Sequence, residues 1–419
     1  MSDTQMIHDF REHDWITTSV SEDEIHYRQQ PENGDISKIW AFGLAPGGRL
    51  SYYVGLDWLD KSHVLRVKPK IYGDGREPDY HVMFMECLSS PVTASYLGDA
   101  YDIRLDKPFI EVANDEFDFS PFLAHHFLHL LKDLFKRPLK KGYVQREENL
   151  TAKLKGKIMI GAHFKKNVLG MRPDRVMCRY QEYSVDCIEN RLLHSAYRIA
   201  LNYLKSLRSN TVNGVRTIAL YESLAEYFQN IGTIKHPYEL HGIKSNPLYR
   251  EYAETLRLAK MIFSHKGYQI ADMTTKKTVP PFIIDMAKLF ELYAYVQLSK
   301  IPDTILDYQS KGKYGNTDFL DIKNKIVIDA KYKYQYSDKY EADDIRQIAG
   351  YARDIGILEK LRVRGEDRNE VIDCMVVYPN HNSDAEIASQ YYQRKILPNT
   401  LIKQFYRYYK VGIRLPEVE

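Results

Sequence analysis

Cysteine is scarce in this sequence, and charge of either sign is nearly balanced. The four cysteines, Cys87, Cys178, Cys187 and Cys374, lie far apart, with no Cys-x-x-Cys pair and no histidine at ligand spacing. That excludes a zinc ribbon or a disulfide framework and fits a reducing compartment. Lys and Arg total 59 against 56 Asp and Glu, so a net charge of +3 over 419 residues gives no overall pull toward nucleic acid. Any such affinity has to come from local patches. No run of about eighteen apolar residues occurs, and the opening stretch is polar and acidic, so no membrane span or signal peptide is expected and the chain reads as cytoplasmic. A Gly-x-x-x-x-Gly-Lys-Ser/Thr loop is also missing, so the chain itself has no P-loop for a nucleotide.

What is there suffices for more than one core: the hydrophobic content is 44% over 419 residues. From about residue 15 to 115, short apolar runs (Ile36–Phe42, Leu50–Val54, Val64–Val67, His81–Met85) alternate with turn clusters such as Pro46-Gly47-Gly48, which predicts a β-rich module. Pro121–Phe135 repeats apolar residues at helical spacing behind Ser120 as N-cap, and a helix here closes that module. Stretches near 185–208, 215–231 and 247–265 predict a helical connector. A helix from Pro280-Pro281 to about Ser299, two strands, a helix over about 340–359 and a strand at Ile372–Tyr378 predict a mixed α/β core. The expected fold class is multidomain α+β: a β-rich domain over 1–145, a helical middle section over 146–279 and the mixed α/β core over 280–419.

The chemistry concentrates in Thr317–Tyr332, two strand-like runs around Asn324-Lys325. With those two as the hairpin loop, Asp318 faces Lys331 and Leu320 faces Asp329, and alternation puts Asp318, Asp329 and Lys331 on one face. Two carboxylates about 5–8 Å apart can share one hard divalent ion, and a neighbouring ammonium can hold a water aimed at a phosphodiester. A solvated hairpin edge is the plain alternative for a lone Asp-x-Lys. Two flanking features weigh against it: Glu291 is a carboxylate on an otherwise apolar helix, and Gln347 and Tyr351 lie one helical turn apart. The basic segment Arg146, Lys153, Lys155 and Lys157 reads as a solvated face or a backbone contact, and Asp186 as a helix cap. His125, His126 and His129 have no acidic partners at ligand spacing and are not expected to hold a metal.

Together Glu291, Asp318, Asp329-Ala330-Lys331 and Gln347-x-x-x-Tyr351 resemble the PD-(D/E)xK nuclease superfamily, with Thr317 where a proline often precedes the first Asp. The resemblance extends along the chain through Tyr53-Val54-Gly55 with Val67-Lys68-Pro69-Lys70-Ile71, Arg146-Glu147-Glu148-Asn149 with Lys155-Gly156-Lys157, and Cys178–Asp186 with Glu189-Asn190-Arg191. Leu289-Phe290-Glu291 and Ile328–Tyr332 complete an order similar to the McrC family, nuclease subunits of McrBC-type modification-dependent restriction systems, although Lys155 stands where that family more usually has Arg. The resemblance implies a restriction-endonuclease-like core at 280–419 and a Mg²⁺-dependent DNA endonuclease, with Mn²⁺ as an alternative ion. It implies Asp318, Asp329 and the Ala330 backbone carbonyl as metal ligands, and Glu291, Lys331 and Gln347 beside them as catalytic residues. The partners implied are a hexameric McrB-like AAA+ GTPase, docked through the N-terminal module and stimulated by it, and methylated double-stranded DNA. Two other readings stand beside this one: a non-catalytic adaptor of an AAA+ motor, and a stand-alone structure-specific nuclease.

Overall fold

The computed structural model describes residues 5–15, 49–59, 62–70, 77–104, 107–112, 120–206, 214–234, 250–268, 277–333, 342–363, 371–380, 386–397 and 399–417. The strand expected at Ile36–Phe42 lies outside these residues. In chain order the strands are β1 (Met6–Arg11), β2 (Tyr53–Trp58), β3 (His63–Lys68), β4 (Tyr101–Ile103), β5 (Ile110–Val112), β6 (Gly142–Thr151), β7 (Lys157–Ile158), β8 (Arg175–Ser184), β9 (Lys277–Val279) and β10 (Phe282–Asp285). They continue with β11 (Leu306–Lys311), β12 (Asn316–Asp321), β13 (Ile326–Ala330), β14 (Asp373–Pro379) and β15 (Tyr408–Ile413). The main helices are α1 (Tyr80–Ser89), α2 (Ser120–Leu134), α3 (Ile188–Ser206), α4 (Gly214–Ser223), α5 (Arg250–Tyr268), α6 (Met286–Ser299), α7 (Ala342–Tyr351) and α8 (Ile355–Lys360). The architecture is mixed α/β and multidomain, and no helix among the described residues is long and apolar enough to cross a membrane.

Two compact units are distinguished: Met1–Val112 with Val212–Thr217 and Lys277–Glu419, and Ala113–Thr211 with Ile218–Lys276. The first holds two five-stranded sheets, ordered β1-β3-β2-β10-β4 and β11-β12-β13-β14-β15. Strand β10, from beyond residue 280, is thus inserted between N-terminal strands, antiparallel to both β2 and β4. Sequence pattern suggests a helix directly after Pro281. Instead the apolar run Phe282-Ile283-Ile284 is buried as strand, and Asp285 ends it by accepting from Lys288 N at 2.9 Å as the cap of α6. Gly55 explains itself here: its φ is +146°, and a Cβ would sit 2.2 Å from the carbonyl oxygen of Phe282. The strand expected at His81–Met85 is helix α1, because the run has no period-two alternation and Asp79 caps it through His81 N and Val82 N.

In the second sheet β11, β12 and β13 are antiparallel, while β13, β14 and β15 run parallel. On one face Leu320, Val327, Cys374, Val376 and Tyr378 pack against Ile348 and Ala352 at α7 and Ile357 and Leu361 at α8. The expected single helix over 340–359 is broken into these two because Asp354 caps the second through Gly356 N. The hairpin register also differs from expectation. Asp321 pairs with Ile326 and Phe319 with Ile328, so the loop is the four residues Ile322–Lys325 rather than Asn324-Lys325 alone. The cause is a side chain: Asp321 accepts from Lys323 N and Asn324 N at 3.0 and 3.1 Å, and Lys325 closes the turn at φ 53°. The shift is by two residues, so the facing of Asp318 and Asp329 is preserved.

The second unit joins α2, α3 and α5 through buried Phe127, Leu131, Leu192, Ala196, Leu258 and Ala259. Where a helical connector was expected to begin, the chain instead forms an antiparallel arm in which the ten residues of β6 pair with the ten of β8 and β7 lies alongside. Gly156, at φ +62°, is held where a Cβ would meet Arg179 O at 2.5 Å. Asp186, rather than capping α3, is held by Arg191 at 2.7 and 2.6 Å, by Gly232 N and by Arg146, which together keep its carboxyl down at about 2.

Candidate active site

Alternation along β12 and β13 places Asp318 two residues from Leu320 and Asp329 two from Val327, so both carboxylates lie on the α7 face. Asp318 Oδ2 accepts from Ala330 N across the strands at 2.8 Å. Asp329 is 2% exposed, and its Oδ2 forms an ion pair with Lys331 Nζ at 2.7 Å without the alignment of a hydrogen bond. Lys331 Nζ donates to Gln347 Oε1 at 2.9 Å, and Gln347 Nε2 donates to Tyr351 OH at 3.0 Å. Four of the expected site residues, Asp318, Asp329, Lys331 and Gln347, are thereby joined in one chain of contacts.

Glu291 stands slightly apart. It lies on α6, only 14% exposed at the side chain, and is bound to Lys288 Nζ at 2.9 and 3.0 Å, Tyr308 OH at 2.8 Å and Gln309 Nε2 at 3.2 Å. It reaches the pair electrostatically. Burial first, then the charges of Asp329 and Glu291, push the Asp318 carboxyl well above the usual range. Asp329 is raised as well, by burial, against the opposing pull of Lys331. Burial pulls the Lys331 ammonium down, but Asp329, Asp344 and Asp318 outweigh it and leave the lysine above its ordinary value.

Two facing carboxylates, Asp329 buried and Asp318 half-buried, beside one lysine are short of positive charge. A divalent cation fits this deficit. The side-chain oxygens to hand are those of the two carboxylates. Among the described residues no group of three His, Cys, Asp or Glu side chains converges on one point, so an ion here would keep several waters, as Mg²⁺ commonly does.

Sequence reasoning missed Asp344, buried at 7% exposure, which lies 3.9 Å from Lys331 Nζ and 2.9 Å from Lys333 Nζ. Its position one turn before Gln347 was the available signal. It also missed Lys288, Tyr308 and Gln309 around Glu291.

Behind the site, Tyr332 OH donates to Glu12 Oε2 at 3.3 Å, and Lys70 N donates to the same oxygen at 2.9 Å. Burial raises Glu12 from 4.5 to about 8. The folded chain therefore holds a proton there that the unfolded chain has lost, so stability from this group falls as pH rises from 4.5 through 8. Glu12→Gln keeps the acceptor and removes the charge. In melting curves across pH, the variant is expected to match the wild type near the low end and to gain on it, by on the order of a few kcal/mol, at the high end. Parallel curves would show that Glu12 is not protonated in the folded protein.

The sequence matches the family described as McrBC 5-methylcytosine restriction system component over residues 49–358. No curated protein matches it. Among solved structures, it is similar to a chain of the half-complex from the tetradecameric assembly of Thermococcus gammatolerans McrB AAA+ hexamers with bound McrC. The identity is 16%, with 98% of this chain and 94% of that chain covered and a TM-score of 0.37. It is also similar to a chain of the Thermococcus gammatolerans McrBC complex, at 15% identity, 70% and 88% coverage and a TM-score of 0.28.

Proposed function

We propose that this chain, which belongs to the family of McrBC 5-methylcytosine restriction system components, is the McrC-type nuclease subunit of such a system, cutting DNA through a PD-(D/E)xK site and acting with a McrB-like AAA+ GTPase. The observation that carries the nuclease half is the facing pair of half-buried Asp318 and buried Asp329, with Lys331 at 2.7 Å from Asp329 and too few cations to balance it. An adaptor has no physical need for such an arrangement, which costs stability unless a cation occupies it.

Asp318, Asp329 and the Ala330 carbonyl would hold Mg²⁺ or Mn²⁺. Bound there, the ion lowers the pKa of a water and offsets charge gathering on the phosphate oxygens. The chain's own contribution is orientation. Gln347, fixed by Tyr351, holds the Lys331 ammonium beside Asp329, where its remaining donors can meet a water or a phosphate oxygen. The β11–β12 turn is a fitting element to meet the duplex. Asp354 holds it through Lys313 N and Tyr314 N at 2.8 and 2.9 Å, and it presents Lys311, Lys313 and a Tyr314 that is 96% exposed.

For the partner half, the supporting feature is the β6–β8 arm. Its far end, between β7 and β8, exposes Ile160, Phe164, Val168, Leu169 and Met171, with Ile160 at 79% and Met171 at 89%. A patch of this kind at the end of a three-stranded arm fits insertion into a partner. The arm is therefore favoured for docking, in addition to the N-terminal module that the family resemblance implies.

The assignment is tested by Mn²⁺ titration of the purified chain. Saturable binding is expected in the wild type and its loss in Asp318→Asn. Equal binding by both proteins would remove the metal from this site.

A further inference from the structure

In the β11–β12 ladder Tyr308 pairs with Phe319 and Ser310 with Thr317, while the step between them, Gln309 opposite Asp318, is left out of the pairing. At that step Gln309 has φ 47°, a left-handed backbone that a glutamine in a strand rarely adopts. The consequence is visible in the side chains. Consecutive residues of a regular strand point to opposite faces. Here Tyr308 OH and Gln309 Nε2 both donate to the same oxygen, Glu291 Oε1, at 2.8 and 3.2 Å. Lys288 Nζ donates to that oxygen from within α6 at 2.9 Å, and its ammonium also lies 5.5 Å from the centre of the Tyr308 ring. A carboxylate oxygen only accepts, so the Gln309 amide is fixed with its nitrogen toward Glu291.

The geometry points to Gln309 as a positioning residue of the site: its strained backbone turns its amide away from Asp318 and onto Glu291, fixing that carboxylate as a third negative wall beside Asp318 and Asp329. A strand that needed only to pair would have no use for the distortion, which is strained for a non-glycine residue and falls directly opposite a carboxylate of the site. Fixing Glu291 serves a cation held by Asp318 and Asp329, because a carboxylate held in place contributes a steadier field and a better aligned acceptor for the ion's waters than a mobile one. The inference rests on the nuclease reading and deepens it.

Gln309→Gly is the discriminating variant, since glycine accepts this backbone without strain while losing the amide. Gln309→Glu is the second, keeping length but setting a carboxylate against Glu291. Each is compared with the wild type by melting temperature, by Mn²⁺ affinity in calorimetry, and by the Mg²⁺ concentration that gives half-maximal cleavage. Gln309→Gly is expected to melt at or above the wild-type temperature, yet to bind Mn²⁺ several-fold more weakly and to need several-fold more Mg²⁺. Gln309→Glu should shift both metal readouts further in the same direction. Wild-type Mn²⁺ affinity in Gln309→Gly would overturn the inference, as would a loss of affinity accompanied by an equal loss of thermal stability. If the wild type bound no Mn²⁺, the nuclease reading itself would fall and take the inference with it, an outcome distinct from unchanged affinity in the variant.

Discussion

Asp329→Ala is expected to lower Mg²⁺-dependent DNA cleavage by a factor on the order of 10³ or more while leaving the metal-free protein as stable as the wild type or more so. Both halves come from the same geometry. Asp329 faces Asp318 where burial raises both carboxyls and the Asp329 charge raises Asp318 further, so deleting Asp329 removes a source of strain as well as the proposed ligand. Lys331→Met should be equally inactive but less stable, by about 3 kcal/mol, because it strips the cation from an aspartate that is 2% exposed. Opposite stability changes with the same loss of activity are not what a general unfolding defect produces. Cleavage at the wild-type rate by Asp329→Ala would place the chemistry elsewhere.

The second large effect concerns the partner. The chain's net charge of +3 leaves little counterion-release affinity for a duplex, since each phosphate neutralised needs a positioned Lys or Arg. The described groups near the site that could serve are few, and Lys333 is already engaged with Asp344 at 2.9 Å. Alone, the chain is therefore expected to cut DNA poorly, and an AAA+ GTPase with GTP should raise cleavage by orders of magnitude. The exposed end of the arm gives this dependence a handle. Met171→Asp with Leu169→Asp should abolish the gain and the stimulation of GTP hydrolysis without affecting melting or Mn²⁺ binding, because both side chains are exposed and make no core. A doubly substituted chain that still stimulated the GTPase fully would show that docking runs through another surface.

Much of the site could be read in the sequence because its residues are close along the chain and obey local periodicity. Asp318, Asp329 and Lys331 share a face whatever even register the hairpin takes, so the two-residue error in the loop did not separate them. Gln347 and Tyr351 are one turn apart on α7, and their hydrogen bond is the local expectation. What was not legible is what depends on distant partners or on side chains in turns. Nothing near Phe282 reveals that β10 pairs with β2 and β4. The arm has no strongly buried face, so β6 and β8 lack the apolar alternation that marks a strand against a core. The Asp321 turn moved the register through hydrogen bonds that Asn-Lys does not announce. The left-handed Gln309 has no sequence signature at all, since glutamine is not a residue that favours it.

The most direct test of the whole account is cleavage of methylated and unmethylated duplexes by the purified chain in Mg²⁺, measured with and without an AAA+ GTPase partner and GTP. Weak, indiscriminate cutting is expected from the chain alone, strong cutting of the methylated duplex when partner and GTP are both present, and none detectable from Asp329→Ala under any condition. Efficient, site-specific cutting by the chain alone would contradict it.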